Sequence, residues 1–400
     1  MPDARTRAAL VPRLRPFAST VFAEMSALAV RTGAVNLGQG FPDTDGPASM
    51  LQAARDAIAG GENQYPPGPG RPELRSAIAE HRARFGTRYD PDTEVLVTTG
   101  ATEAIAASLL ALTEPGDEVI VLEPYYDSYA ASVALAGATR RVVGLAIDDG
   151  GRFSLDVEAL HAAITPATRA IIVNSPHNPT GTVFTRAELA ALAELCVEHD
   201  LIAITDEVYE HLVFGSPGRP AEHLPLATLP GMAERTVTIS SAGKMFNCTG
   251  WKIGWVCATP ELVAAVRAAK QFMTFVSGGP FQPAVAHALR HELAWVEDLR
   301  TSLHRKHDRL AAGLAESGFT VLPSTGTYFL CADVRPLGYQ DGAELAWQLP
   351  ERIGVAAVPV SVFTEGAAGY RHLLRFAFCK RDEVLDEAID RLHKLTATRR

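Results

Sequence analysis

Several segments of this chain set a charged or amide side chain inside a run of apolar or small residues, where a solvated surface role does not account for it. Lys244 lies in SSAGKMFNCTGWKIGW, residues 240–255, among serine, alanine, glycine and aromatic residues. Most lysines are surface charges. An amine with such neighbours loses water, its pKa falls, and the free base can form a Schiff base with a carbonyl. Arg375 interrupts the apolar run LLRFAF. A guanidinium there needs a partner, because burying it unpaired costs on the order of several kcal/mol. Either an internal carboxylate pairs it, or a substrate carboxylate does so through two parallel hydrogen bonds.

The strand-like run LIAIT delivers Asp206 and Glu207, with Tyr209 close behind. An acid at that point is a loop residue or helix cap, or a carboxylate kept for a cationic group. NSPHNPTG, Asn174 to Gly181, packs two prolines and two asparagines into one turn, either as a rigid turn or as amides aimed at a ligand. EVLVTTG runs into Gly100-Ala101-Thr102 at a helix start. Free backbone N–H groups and the helix dipole favour a phosphate there, although a glycine before a helix is also ordinary turn chemistry.

An amine for a Schiff base, an acid for a protonated ring nitrogen, a helix start for a phosphate and an arginine for a carboxylate are together what pyridoxal chemistry requires. The loop GQGFPD lacks the third glycine of a dinucleotide fingerprint, and the chain holds no GxxxxGK[ST] segment. Nicotinamide and ATP readings lose their main support.

Short Val/Ile-rich runs alternate with helical patterns from about residue 94 to 260: EVLVTTG, TEAIAASLLALT, DEVIVLEP, RAIIVNSP, LIAITDE and TVTISS. Such alternation predicts a mostly parallel sheet with helices on both faces, and ligands of such sheets sit beyond the carboxyl ends of the strands. Thr185 and Glu188 predict a capping box for a helix running to about His199. A single helical pattern from about Pro283 to Ser317 leads into short strands and a final helix from Asp382, an α+β segment. The amphipathic stretch RPFASTVFAEMSALA is expected to join it.

At 400 residues, 47% apolar and 21% charged, the chain is long enough for a large domain and a smaller one. Its net charge of −9 and the lack of basic runs interleaved with aromatics argue against a nucleic-acid partner. No apolar stretch suggests a bilayer span, and the arginine-bearing start lacks the apolar core of a secretory signal, so the cytoplasm is the expected compartment. Five scattered cysteines without a CxxC pair suggest neither disulfides nor a zinc knuckle. The pairs His287/His291 and His304/His307 lack the glutamate of HExxH, and no metal is expected.

VNLGQGFPD, NQYPPGPG, VTTGATEAI, EPYYDSY, NSPHNPTG, ITDEVYEHLVF, SSAGKMFNCTGWKIGW and LLRFAFCK together resemble, across nearly the whole chain, the class I/II aminotransferases of fold type I, which use pyridoxal 5′-phosphate. The likeness leans to the kynurenine/glutamine aminotransferases and, more strongly, to the actinobacterial N-succinyldiaminopimelate aminotransferases of the lysine route. It implies an α/β fold. Residues 45–282 would form a large domain with a mostly parallel seven-stranded sheet between helices. Residues 283–400, with an N-terminal arm from 1–44, would form a smaller domain.

The resemblance also implies roles. Lys244 would hold the cofactor covalently and later shuttle a proton, and Asp206 would pair with the pyridine nitrogen. Asn178 and Tyr209 would hydrogen-bond the phenolic oxygen, and Tyr126 would stack on the ring. Ala101, Thr102, Ser241 and Lys252 would surround the phosphate, joined by Tyr65 from the other subunit of a homodimer. Arg375 and Asn174 would grip the substrate α-carboxylate, with Gly38 close by and Phe22 lining the side-chain pocket. An amino acid and a 2-oxo acid would react by a ping-pong mechanism.

One segment departs from the kynurenine-selective pattern. Phe275-Val276-Ser277-Gly278-Gly279 stands where those relatives carry an aromatic and histidine loop. The smaller wall favours a longer aliphatic substrate, N-succinyl-LL-2,6-diaminopimelate with glutamate and 2-oxoglutarate. Kynurenine-, glutamine- or methionine-type transamination and cysteine-conjugate β-elimination are the alternatives within the same cofactor class. A cofactor-binding DNA regulator is the alternative outside it, and the acidic charge and the short segment before VNLGQGFPD argue against that.

Overall fold

The apolar runs between residues 95 and 257 pair into one seven-stranded sheet: β1 (Val95–Thr99), β2 (Glu118–Glu123), β3 (Thr139–Gly144), β4 (Thr168–Asn174), β5 (Ile202–Asp206), β6 (Thr236–Ser241) and β7 (Ile253–Cys257). The structure is a computed structural model and describes residues 10–18, 21–215, 222–366 and 369–397. The expected N-terminal arm lies outside the described residues over positions 1–9.

The strand order is β1-β7-β6-β5-β4-β2-β3. All neighbours are parallel except β7, which runs antiparallel to both β1 and β6. Parallel strands need crossover helices on both faces, so β5 is buried throughout and β4 at every position but Arg169, and both read as runs of Ile, Val and Ala. The edge strand β3 instead alternates exposed and half-buried positions with only Val143 buried, and its polar TRRVVG sequence gave no sign of a strand. The segment around Lys244 runs into β7 at Ile253.

Helix α1 (Gly100–Leu112) follows β1 directly, and α2 (Asp127–Ala136) follows β2. Helix α3 (Arg186–Glu198) opens with the predicted capping box, the Thr185 side chain and Glu188 satisfying each other's backbone N–H groups. The single helix expected from Pro283 to Ser317 is two helices. α4 (Phe281–His291) packs with the helices Ala48–Ala59 and Pro72–Ala83 around Met50, Leu74 and Trp255. The backbone breaks at Glu292, and α5 (Leu293–Glu316) then buries Leu303, Leu310 and Leu314 in a different core. Both helices have one apolar face, so their pattern runs on unbroken in the sequence.

That second core covers a four-stranded sheet of β8 (Thr320–Val321), β9 (Phe329–Asp333), β10 (Val358–Pro359) and β11 (Leu373–Ala377), ordered β8-β9-β11-β10. Val35–Asn36 pairs in parallel with Val355–Ala356, which builds the N-terminal segment into the C-terminal third. The same core takes in Val208, Tyr209 and Leu212 from just past β5, so the carboxyl edge of the large sheet packs on the small one.

Two glycines set how closely β7 meets the start of α1. A Cβ on Gly254 would lie 2.6 Å from the Gly100 carbonyl carbon and 2.9 Å from the Ala101 nitrogen. Gly100 has φ +74°, a left-handed conformation that favours glycine. Gly254→Ala is therefore expected to lower stability by about 1–3 kcal/mol through overpacking, read as a lower urea midpoint. A wild-type midpoint would show that the backbones are not in contact.

Candidate active site

The carboxyl edge of the large sheet, closed over by the small one, lines a cavity of about 460 Å³. The six strands of the large sheet that contribute to it lie side by side. From β1 come Gly100, Ala101 and Thr102 at the start of α1; from the approach to β7 comes Lys252; from β6 come Ser241 and Lys244; from β5 comes Asp206; and from β4 come Asn174 and Asn178. The end of β2 adds Tyr126.

Ser241 opens a single helical turn, Ala242–Met245, that carries Lys244 into the cavity. The Lys244 amine donates to the Tyr328 hydroxyl at 2.8 Å and to the Gly40 carbonyl at 3.2 Å. Burial pushes its pKa down to about 8, and the positive charges of Arg375 and Lys252 add to that, against Cys379 and Asp206. An appreciable share of uncharged amine is thus present near neutral pH.

Asp206 is buried and accepts from the Tyr129 hydroxyl at 2.6 Å. Burial raises its pKa, opposed by that hydrogen bond, the Val208 N–H and the charge on Lys244. No cation touches it among the described residues. Its neighbour Glu207 turns elsewhere, to a buried network in which Arg82 bridges Glu207 and Glu210 and supplies their positive charge. The two acids that look alike in sequence therefore have separate tasks.

Arg375 lies in β11 with only 2% of its surface exposed and no carboxylate against it among the described residues. Its guanidinium donates to Asn178 Oδ1 at 2.9 Å and to the Gly38 carbonyl at 2.8 Å. Its carbon lies 4.0 Å from the Phe329 ring, 4.7 Å from Phe363 and 5.5 Å from Phe22. Burial lowers its pKa to about 10, which leaves it charged at neutral pH. Of the five N–H groups of an arginine, two are taken and Nε has no partner. That is a receptor for an anion.

At the other end, Lys252 has φ +55°, and its amine lies where a Cβ on Gly100 would approach within 3.1 Å. It stands beside the first backbone N–H groups of α1, a helix N-terminus with an added positive charge. A group with a phosphate at one end and a protonated ring nitrogen, joined by a substrate carboxylate at the other end, meets each of these charges. The residues fit pyridoxal 5′-phosphate.

Most expected residues converge here, with two exceptions. Asn174 lines the cavity, but its side chain is tied to backbone: Oδ1 accepts the Asn178 N–H at 2.7 Å and Nδ2 donates to the Asp206 carbonyl at 2.8 Å. It is Asn178 whose side chain meets Arg375, while Asn174 clips the turn to β5. Tyr65 is 81% exposed and packs edge-to-face on Phe275, outside the cavity of its own chain. Sequence reasoning missed Tyr129, Tyr328 and Phe363. Tyr129 carried a signal, one helical turn after Tyr126 in EPYYDSY; the other two come from distant small-domain segments and carried none.

The model of the aminotransferase class I and II family matches residues 32–392. A probable N-succinyldiaminopimelate aminotransferase of Mycobacterium tuberculosis is 64% identical over 394 residues, covering 96% of this chain and 98% of that one. A solved structure of N-succinyldiaminopimelate aminotransferase from the same species superposes with a TM-score of 0.94 at 65% identity, covering 97% and 100% of the two chains. The methionine aminotransferase of Escherichia coli is 39% identical, covering 96% and 99%.

Only the uncharged amine is nucleophilic, so labelling of Lys244 by an amine-directed acylating reagent rises with pH through about 8. Surface lysines follow about 10.4. Peptide mass spectrometry across a pH series reads both. A Lys244 curve superimposed on those of surface lysines would contradict its desolvation.

Proposed function

The chain belongs to the aminotransferase class I and II family, and from that premise we propose that it transfers the amino group of N-succinyl-LL-2,6-diaminopimelate, with glutamate and 2-oxoglutarate as the companion pair, using pyridoxal 5′-phosphate held on Lys244. The observation that carries transamination of a carboxylate-bearing substrate is the buried, charged Arg375 without an internal carboxylate. The substrate follows the 64% identity over nearly the whole chain.

When bound, the cofactor supplies an aldehyde for the amino nitrogen and a protonated ring that withdraws electrons from the substrate Cα–H bond. The N–H groups opening α1, the Thr102 and Ser241 hydroxyls and the Lys252 amine hold its phosphate. Asp206, steadied by Tyr129, keeps a proton on the ring nitrogen; a buried carboxylate without a cation is stabilised by that charge. Tyr126 would cover its ring, and Asn178 and Tyr209 would hydrogen-bond its phenolic oxygen. Arg375 orients the substrate through its α-carboxylate, beside Asn178 and the Gly38 carbonyl. Lys244, whose uncharged form burial favours, would hold and move the proton taken from the substrate Cα. Phe22 and Phe329 keep water from that transfer. The exposed Tyr65, packed on exposed Phe275, is offered to the cavity of a second copy, making a homodimer.

A half-reaction screen tests this reading. The cofactor-loaded protein is mixed with single amino donors and the visible absorbance followed; N-succinyl-diaminopimelate is expected to react faster than methionine, kynurenine or glutamine. Arg375→Lys keeps the charge but loses the planar fork, and is expected to lower kcat/KM about 100-fold, mostly through KM. Faster turnover of methionine or kynurenine would displace the substrate assignment, and an unchanged Arg375→Lys variant would displace the carboxylate assignment.

A further inference from the structure

The segment after β10 returns to the large sheet carrying Phe363, whose ring lies 4.7 Å from the Arg375 guanidinium carbon and 5.4 Å from the Phe22 ring. It is fastened to the end of β2. The Tyr125 N–H donates to the Phe363 carbonyl at 2.9 Å. The Tyr125 hydroxyl donates to the Glu365 carboxylate at 2.7 Å, which Arg140 also pairs. The Glu123 carboxylate accepts the Glu365 N–H, and the Gly366 N–H at 3.4 Å. Further along, the Tyr370 hydroxyl donates to the Leu145 carbonyl at 2.7 Å.

Glu123 is only 8% exposed and has no cation against it among the described residues. Burial, with the nearby Glu365 charge, disfavours its ionised form, which its two backbone N–H groups favour. A carboxylate kept in such surroundings is an unfavourable way to end a strand. What it fixes is the backbone two residues beyond Phe363. Arg375 has no ion pair to set its plane, so its orientation depends on Asn178, Gly38 and the rings of Phe22, Phe329 and Phe363.

We propose that Glu123 is a positioning residue for substrate-carboxylate recognition: by holding the N–H groups of Glu365 and Gly366, together with Tyr125, it seats Phe363 against Arg375 and so fixes where the free guanidinium N–H groups point. The inference rests on the reading of Arg375 as the carboxylate receptor. Glu123 touches neither substrate nor Arg375 and acts through Phe363.

The test is made on the cofactor-loaded protein with maleate as a dicarboxylate probe and 2-oxoglutarate as substrate. Glu123→Ala is expected to raise the maleate Kd and the KM for 2-oxoglutarate about 5- to 20-fold, with kcat within about twofold, the pattern of lost uniform binding. Glu123→Gln keeps an acceptor oxygen and is expected within about threefold of wild type. Phe363→Leu should reproduce the alanine effect, and Glu123→Ala should add less than about twofold in that background, because both act through one ring. A Glu123→Ala protein with a lower Tm but unchanged maleate Kd, or effects that multiply in the double variant, overturns the proposal. Tyr125→Phe, which removes one hydroxyl, serves if Glu123→Ala does not fold, and unaltered anion affinity there also overturns it. Wild-type protein that binds no maleate, or Arg375→Lys that binds it as well as wild type, instead removes the reading of Arg375 and this inference with it.

Discussion

Charge buried without its countercharge is the constraint on which this structure turns. Arg375 and Lys244 lie in one cavity with no carboxylate against either, and Asp206 lies in the same cavity with no cation against it, among the described residues. Each arrangement is unfavourable in isolation. Hydrogen bonds from neutral groups hold all three in place: Tyr328 and Gly40 for the amine, Tyr129 for the acid, Asn178 and Gly38 for the guanidinium. A folded chain carrying this imbalance is arranged for a ligand whose charges complete it. Arg82, by contrast, is paired internally with Glu207 and Glu210.

The sheet topology brings these groups together. Neighbours β1, β7, β6, β5 and β4 present their site residues at one edge, in spatial order from Gly100 through Lys252, Lys244 and Asp206 to Asn178. Because β7 is antiparallel, the turn leading into it, which carries Lys252, reaches the edge where its neighbours end. Glycines at 100 and 254 allow the close approach of strand and helix start there. The small sheet closes the other side with Arg375 and Phe329, so the site exists only where both cores meet.

Much of this was legible in the sequence, for identifiable reasons. Alternating apolar runs announced the parallel sheet, and Lys244, Asp206 and Arg375 were visible because each breaks a pattern that burial imposes. The capping box at Thr185 was visible because its two partners are three residues apart. Contacts between distant segments were not visible: Tyr328 beside Lys244 and Phe363 beside Arg375 depend on how two sheets pack. Asn174 and Asn178 have the same chemistry four residues apart, and only the backbone of the turn decides that one is a clip and the other faces Arg375. The break at Glu292 was hidden because the helices on either side keep the same periodicity while facing different cores.

The central claim is that the amine at position 244, and no other, bonds to the aldehyde of pyridoxal 5′-phosphate. Reduction of the cofactor-loaded protein with borohydride, followed by proteolysis and mass spectrometry, reads this directly. The account predicts a pyridoxyl-phosphate mass increment on the peptide that contains Lys244, at close to one equivalent per chain. The same increment on Lys252 or any other lysine, with Lys244 unmodified, would contradict it.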